Sequence, residues 1–327
     1  MNFNEGCKKL DGSNATKACG AVAVRLLLLL ATTLSVQAVE TESPPIQTGA
    51  GHCFACVDIT DGKVCIVSAD GRVEWEYKTP GCNDLWVLPN GNLLFNIDHG
   101  VREVTRDKAT VFEYRSASEI HGCQRLANGN TLVGECNAGR VLEIAPSGKC
   151  AFELRLLPEG TDSGHNYMRN VRKLTNGNYL VCHYAREAVR EYDPKGAVVF
   201  EIAAPGGARS AARLPNGNTV VTCGDLKKAS MIFEADRDGK TVWKVEHDEL
   251  PGAPLKLAAG FQRLPNGNTV LANFIGHGAL GQAPHLIEVT PDKKVVWTFQ
   301  DHATMKSISS VQLLDVPGDA TRGGIIH

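Results

Sequence analysis

Leu214-Pro215-Asn216-Gly217-Asn218, set between the short runs Ala211-Ala212-Arg213 and Thr219-Val220-Val221, has four near-copies in this chain. They are Leu88-Pro89-Asn90-Gly91-Asn92, Leu126-Ala127-Asn128-Gly129-Asn130, Leu174-Thr175-Asn176-Gly177-Asn178 and Leu264-Pro265-Asn266-Gly267-Asn268. Asn-Gly between apolar runs is a strong hairpin signal, because a type I′ turn needs positive φ at two successive residues. Successive copies are 38, 48, 40 and 50 residues apart. A period in that range marks a repeat architecture, and with strands rather than helices it marks propeller blades.

A second repeat runs in step with the first. Trp75, Phe112, Phe152, Phe200, Trp243 and Trp297 each follow a Gly- or Lys-containing turn, one per unit. Recurrence in every unit is what packing requires, so these aromatics are expected between adjacent sheets rather than at a binding face. Between hairpin and aromatic lies a further strand, as in Arg140-Val141-Leu142-Glu143-Ile144. Each unit thus has four strands: a, ending at the Asn-Gly-Asn turn; b, just after it; c; and d, carrying the aromatic. The first unit lacks strand a. Ser309-Ser310-Val311-Gln312-Leu313-Leu314 has the pattern of Gly122-Cys123-Gln124-Arg125-Leu126 and is expected to supply it. The fold class is therefore all-β: a six-bladed β-propeller of four-stranded antiparallel blades. Its ring is closed by pairing the C-terminal strand with the first blade, leaving no edge free.

Lys8, Lys9, Lys17 and Arg25 precede Leu26–Leu30, and Val36-Gln37-Ala38 offers small residues for cleavage. That order is a secretory signal peptide over 1–38. An exposed tail (39–50) and one propeller domain (51–327) follow, and the protein is expected to be periplasmic or extracellular. No later stretch is long and apolar enough to span a bilayer, and the net charge of −2 excludes a dominant nucleic-acid surface. Nine of the 11 cysteines follow residue 38. Their number is odd and their spacing scattered, so they read as small apolar core residues with at least one free thiol.

Strand a is innermost, and counting back five and four from its aligned Leu gives the residues at the channel mouth. With two residues from the ends of strand b, those expected to bind ligand are Asn83, Asp84, Glu135, Arg169, Asn170, Arg209, Asn273 and Ser309. His121 opens strand a of blade three, and Glu135, His183 and Asn273 end strand b of theirs. His121 and His183 are the candidate catalytic residues, as bases or nucleophiles. The longest loops open on the same face; 156–168 carries His165 and 274–284 carries His277. Two arginines among these residues point to an anionic ligand, since guanidinium forks match carboxylates. No local spacing fixes a metal, and no cofactor is assigned. The expected partner is a small anionic or sugar-like ligand, or a protein loop. The alternatives are an enzyme using a funnel histidine, of transferase or lyase type, and a scaffold that docks proteins by its rim.

Asp70-Gly71-Arg72-Val73-Glu74-Trp75 and Asp238-Gly239-Lys240-Thr241-Val242-Trp243 resemble the repeats of quinoprotein-type (PQQ-like) propellers. The Leu-Pro-Asn-Gly-Asn turns resemble those of exported six-bladed propellers, including arylsulfotransferases and the NHL-type group. The resemblance spans about residues 51–315 and carries fold more than function. Similarity to arylsulfotransferases implies sulfuryl transfer through a funnel histidine helped by arginines. Quinone binding is not implied, since that group has eight blades and a pair of adjacent cysteines, which this chain lacks.

Overall fold

The computed structural model describes residues 44–225, 230–247 and 249–327; the leader expected over 1–38 lies outside them. The described residues contain no helix. They form six antiparallel sheets. Blades two to six take their four strands consecutively, from Leu85–Val87 through Val295–Gln300. Blade one joins Phe54–Asp58, Lys63–Val67 and Val73–Lys78 to the late strand Ile308–Leu313, with Phe54 opposite Leu313. The ring closes where the sequence placed its closure.

The repeated hairpins close differently from the expected type I′ turn. Only the glycine of each takes positive φ, from 83° at Gly91 to 90° at Gly217. Leu88 O accepts from Gly91 N at 2.8 Å, and Asn92 O accepts from Leu88 N at 2.9 Å. This is a three-residue loop, a type I turn followed by one left-handed residue. Proline or a small residue after Leu suits the type I φ. The Asn90 side chain accepts from Asn92 N at 3.0 Å, and the same bond recurs in the other four turns.

The second Asn of each turn reaches a glutamate on strand c: Asn92 to Glu103, Asn130 to Glu143, Asn178 to Glu191, Asn218 to Glu234 and Asn268 to Glu288. Most of these glutamates also bind a cation on strand a of the next blade. Arg125 reaches Glu103 and Arg213 reaches Glu191, both at 2.6 Å, and Arg263 reaches Glu234 at 3.0 Å. The same guanidiniums lie over Phe112, Phe200 and Trp243 at 5.0, 4.7 and 5.2 Å. The repeated aromatics thus pack against the clusters between neighbouring blades, as expected, but most are only half-buried and lie beneath a cation. Trp297 is the exception, at 1 % exposure.

Two further expectations change. Within the segment expected as a free tail, Ile46–Thr48 pairs with Thr298–Gln300 as a fifth strand on blade six. Closure seals the inner edges, but strand d remains the outer edge of the other blades among the described residues, and Val111, Val199 and Val242 are exposed on it. Six apolar clusters, one between each pair of neighbouring blades, make the core. All nine described cysteines are free thiols, and seven are buried within it. Beyond Leu313 the chain turns under the ring. Ile325 and Ala320 join the cluster of blades two and three, and Arg263 N donates to Ile326 O at 2.9 Å.

Candidate functional site

Strand register explains which side chains face the channel. In blades one, three, five and six the ladder between strands a and b slips at the mouth, leaving one unpaired residue on strand a. Those residues are Ser309, His121, Arg209 and Ala259. A bulge of this kind re-aims its side chain out of the alternating pattern. In blades two and four strand a begins only at Leu85 and Val171, so Asn83 and Arg169 lead into it outside the ladder.

These residues line a cavity of about 350 Å³ at the mouth. Seven of the expected site residues lie on it: Asn83, Asp84, His121, Arg169, Asn170, Arg209 and Ser309. Glu119, His165, Asp98, His277, Phe261 and Phe274 also line it. Glu135, His183 and Asn273 do not. They end strand b with the parity of Val133, Val181 and Leu271, so they point into the joint with the preceding blade. Glu135 is fully buried and accepts from Tyr114, Ser116 and Arg140. Asn273 ties down the Pro254–Leu257 loop and Pro284. His183 bonds Tyr192 Oη at 2.9 Å, and burial pushes it down to about 3.

Asp84 reaches the cavity but holds its floor. Its carboxylate is bidentate with Arg172, at 2.7 and 3.0 Å, and accepts from Cys123 N at 3.0 Å. Arg172 Nε donates to His327 O at 2.8 Å, and the His327 ring packs 3.9 Å from that of Trp86. Arg172 lies over the same indole at 4.9 Å. The pair is buried, and its mutual compensation leaves the floor close to neutral.

The working walls carry opposite chemistries. Arg169 and Arg209 both lie over the Tyr184 ring, at 5.0 and 5.2 Å. Burial lowers the pKa of each, but guanidinium stays protonated at any ordinary pH. Arg169 Nη1 donates to His121 Nε2 at 3.1 Å and Nη2 donates to Asn166 at 3.1 Å. Arg169 Nε is buried with no partner among the described residues, and so is Asn170 Oδ1. His121 is held well below the ordinary histidine range, chiefly by burial and then by Arg169. It is a neutral imidazole whose Nε2 lone pair is occupied.

Glu119 sits two residues before His121. Its Oε2 lies 2.5 Å from His165 Nδ1 and 3.4 Å from His121 Nε2. The ligand atoms of Glu119, His121 and His165 fall within 4.8 Å of one another, a spacing that could surround a cation. The residues around them do not fit that use, because Arg169 caps His121 Nε2 and sets a positive charge against the site. Sequence reading left Glu119 out and placed His165 only on a long loop. Glu119 lies just before the strand Ile120–Arg125 and outside the positions counted back from Leu126, so the register that finds His121 passes it over.

No protein-family model matches the sequence, and no curated protein matches it. Solved structures do. A Bacteroides caccae protein of unknown function is 27% identical over 82% of this chain and 98% of its own, with a TM-score of 0.71. Virginiamycin B lyase from Staphylococcus aureus is 13% identical over 83% of this chain and 99% of its own, at 0.51. A putative gluconolactonase is 14% identical over 70% of this chain and 80% of its own, at 0.50. The chain shares with these structures the six-bladed β-propeller fold.

Proposed function

We propose that the funnel binds a small, carboxylate-bearing, sugar-like ligand. One observation carries this reading: two guanidiniums on the wall of a 350 Å³ cavity, both held over the Tyr184 ring, with Arg169 Nε buried and without a partner among the described residues. A guanidinium fork recognises a planar anion by two parallel bonds. The size suits a ligand of one or two sugar rings. Asn83, Asp98 and Asn170 offer groups for hydroxyls, and Phe261 and Phe274 offer an apolar face. Read with a leader over 1–38, the protein meets its ligand after export.

Calorimetric titration with a panel of acidic sugars and their neutral counterparts tests the proposal. Arg169→Ala and Arg209→Ala should each weaken binding of an acidic sugar about 10- to 100-fold, the equivalent of roughly 1.5–3 kcal/mol for a charge-assisted bond. Melting temperature should barely move. Equal affinity for neutral counterparts, or a loss of stability without a loss of binding, would show that the arginines serve the fold.

An enzyme reading has its own support in the contact between Glu119 and His165. The lyase and the gluconolactonase with this fold are compatible with it. Under the arylsulfotransferase resemblance, His121 would be the poorer nucleophile, since Arg169 covers its Nε2.

A further inference from the structure

We infer that Glu119 and His165 are the proton-accepting pair of this cavity, and that they remove the proton from the carbon beside the carboxylate of an acidic sugar held by Arg169 and Arg209. The inference rests on the binding reading above and adds a reaction to it.

The 2.5 Å contact makes His165 Nδ1 the donor to the Glu119 carboxylate. The lone pair of the neutral ring is then on Nε2. A carboxylate that orients an imidazole in this way also stabilises the imidazolium formed when Nε2 takes a proton. His121 cannot do this work, being buried and capped. His165 is 57 % exposed and lines the cavity.

Both halves of the pair hang on one residue. The Asn137 side-chain carbonyl accepts from Glu119 N at 3.1 Å. Its main-chain carbonyl accepts from Ser163 N and Ser163 Oγ, each at 3.0 Å. The buried Cys136 thiol donates to His165 O at 3.2 Å, and its sulfur accepts from Met168 N at 3.5 Å. A long loop is thus pinned on either side of its histidine, as a positioned base requires. The His121 ring links base and clamp: it meets His165 edge-on at 5.1 Å and Arg169 at 3.1 Å. One small ligand can touch both.

The reaction balances without a metal or an oxidant. His165 Nε2 bonds the proton, and the C–H bond breaks. Its electron pair becomes a double bond to the adjacent carbon as that carbon releases its oxygen substituent. The departing oxygen takes a proton from the imidazolium or from water. Negative charge building on the carboxylate in the transition state meets the two guanidiniums, where such charge is best stabilised.

The test uses the full chain, with methyl glycosides of galacturonate and glucuronate and their 4-linked disaccharides as probes. Calorimetry measures binding. Proton NMR in heavy water measures loss of the C–H signal and gain of a vinyl signal. A bound probe should lose its proton, and H165Q should slow that loss by about 100-fold or more with binding unchanged. E119Q should slow it by more than about tenfold with binding unchanged, and E119D should restore part of the rate. A bound probe that keeps its proton at every pH, or H165Q reacting at the wild-type rate, overturns the inference. A second arm needs no sugar. Carbethoxylation by diethyl pyrocarbonate, read by mass spectrometry, should slow at His165 relative to His277 in E119Q; an unchanged ratio overturns the pair. If no probe binds, the acidic-sugar reading falls, while slower carbethoxylation in E119Q still upholds the pair.

Discussion

His183 shows what strand parity does to a polar residue at a strand end. It was expected at the channel mouth, and the fold encloses it beside Tyr167 and Tyr192. Its folded-state pKa is about 3, against 6.5 when exposed. His285 is likewise pushed down, to about 4, by burial. A histidine lowered by folding binds its proton more readily in the unfolded chain. The stability it allows is complete above about pH 6.5 and falls as pH drops toward the folded value, by about 1.4 kcal/mol per pH unit for each such ring. In urea unfolding between about pH 7 and about pH 5, wild type should lose stability and His183→Gln should lose about one histidine's share less. Equal slopes would mean that His183 binds its proton as readily in the fold as in the unfolded chain. The sequence placed Arg169, Arg209 and His121 at the mouth because their distance from an aligned Leu is constant. It misplaced Glu135, His183 and Asn273 because strand b alternates without a break up to its last residue, which keeps them on the face of Val133, Val181 and Leu271 toward the preceding blade.

At the level of strands, Trp243 and Trp297 hold the same repeat position in neighbouring blades and differ in cover. Trp243 is half-buried, with Arg263 above it and its Nε1 bonded to Pro291 O at 2.9 Å. Trp297 is enclosed because Ile46–Thr48 lies along its strand. Gln47 accepts from its Nε1 at 3.0 Å, and His52 meets its ring at 4.9 Å. Trp297→Ala should cost about 3–5 kcal/mol, and Trp243→Ala about half of that. Comparable losses in denaturant unfolding would show that the extra strand adds no burial. The sequence carried the period of these aromatics faithfully. It could not carry their depth, which depends on a segment some 250 residues away in the chain. Nor did it disclose why the turn ends in a second asparagine, since that side chain answers to a glutamate on another strand.

For the molecule as a whole, two truncations separate closure from the underside. Removing 309–327 takes away the inner strand of blade one and leaves Phe54–Asp58 with an open edge; insoluble or molten protein is expected. Removing only 318–327 leaves that ladder whole. It strips Ile325 and Ala320 from one cluster and His327 from Arg172. This shorter chain should stay monomeric and unfold cooperatively at a lower temperature, as size-exclusion chromatography and calorimetry would show. A shorter truncation as damaging as the longer one would place the closing element after Leu314. Six blades, their phase and the closing strand were legible because they follow from a repeat. The course of 318–327 was not, because nothing repeats there.

Phe54 and Leu313 face each other across the closing joint although almost the whole ring separates them along the chain. Ile46–Thr48 adds a second long clasp, on blade six. During synthesis, blades two to five have all their strands before the late residues emerge. Blade one must wait, with Phe54–Asp58 exposing an unpaired backbone edge, until Ile308–Leu313 has been made. Completion of the ring is therefore a late event, slowed by the cost of closing so large a loop. Until then the nascent chain is vulnerable to strand exchange with its neighbours.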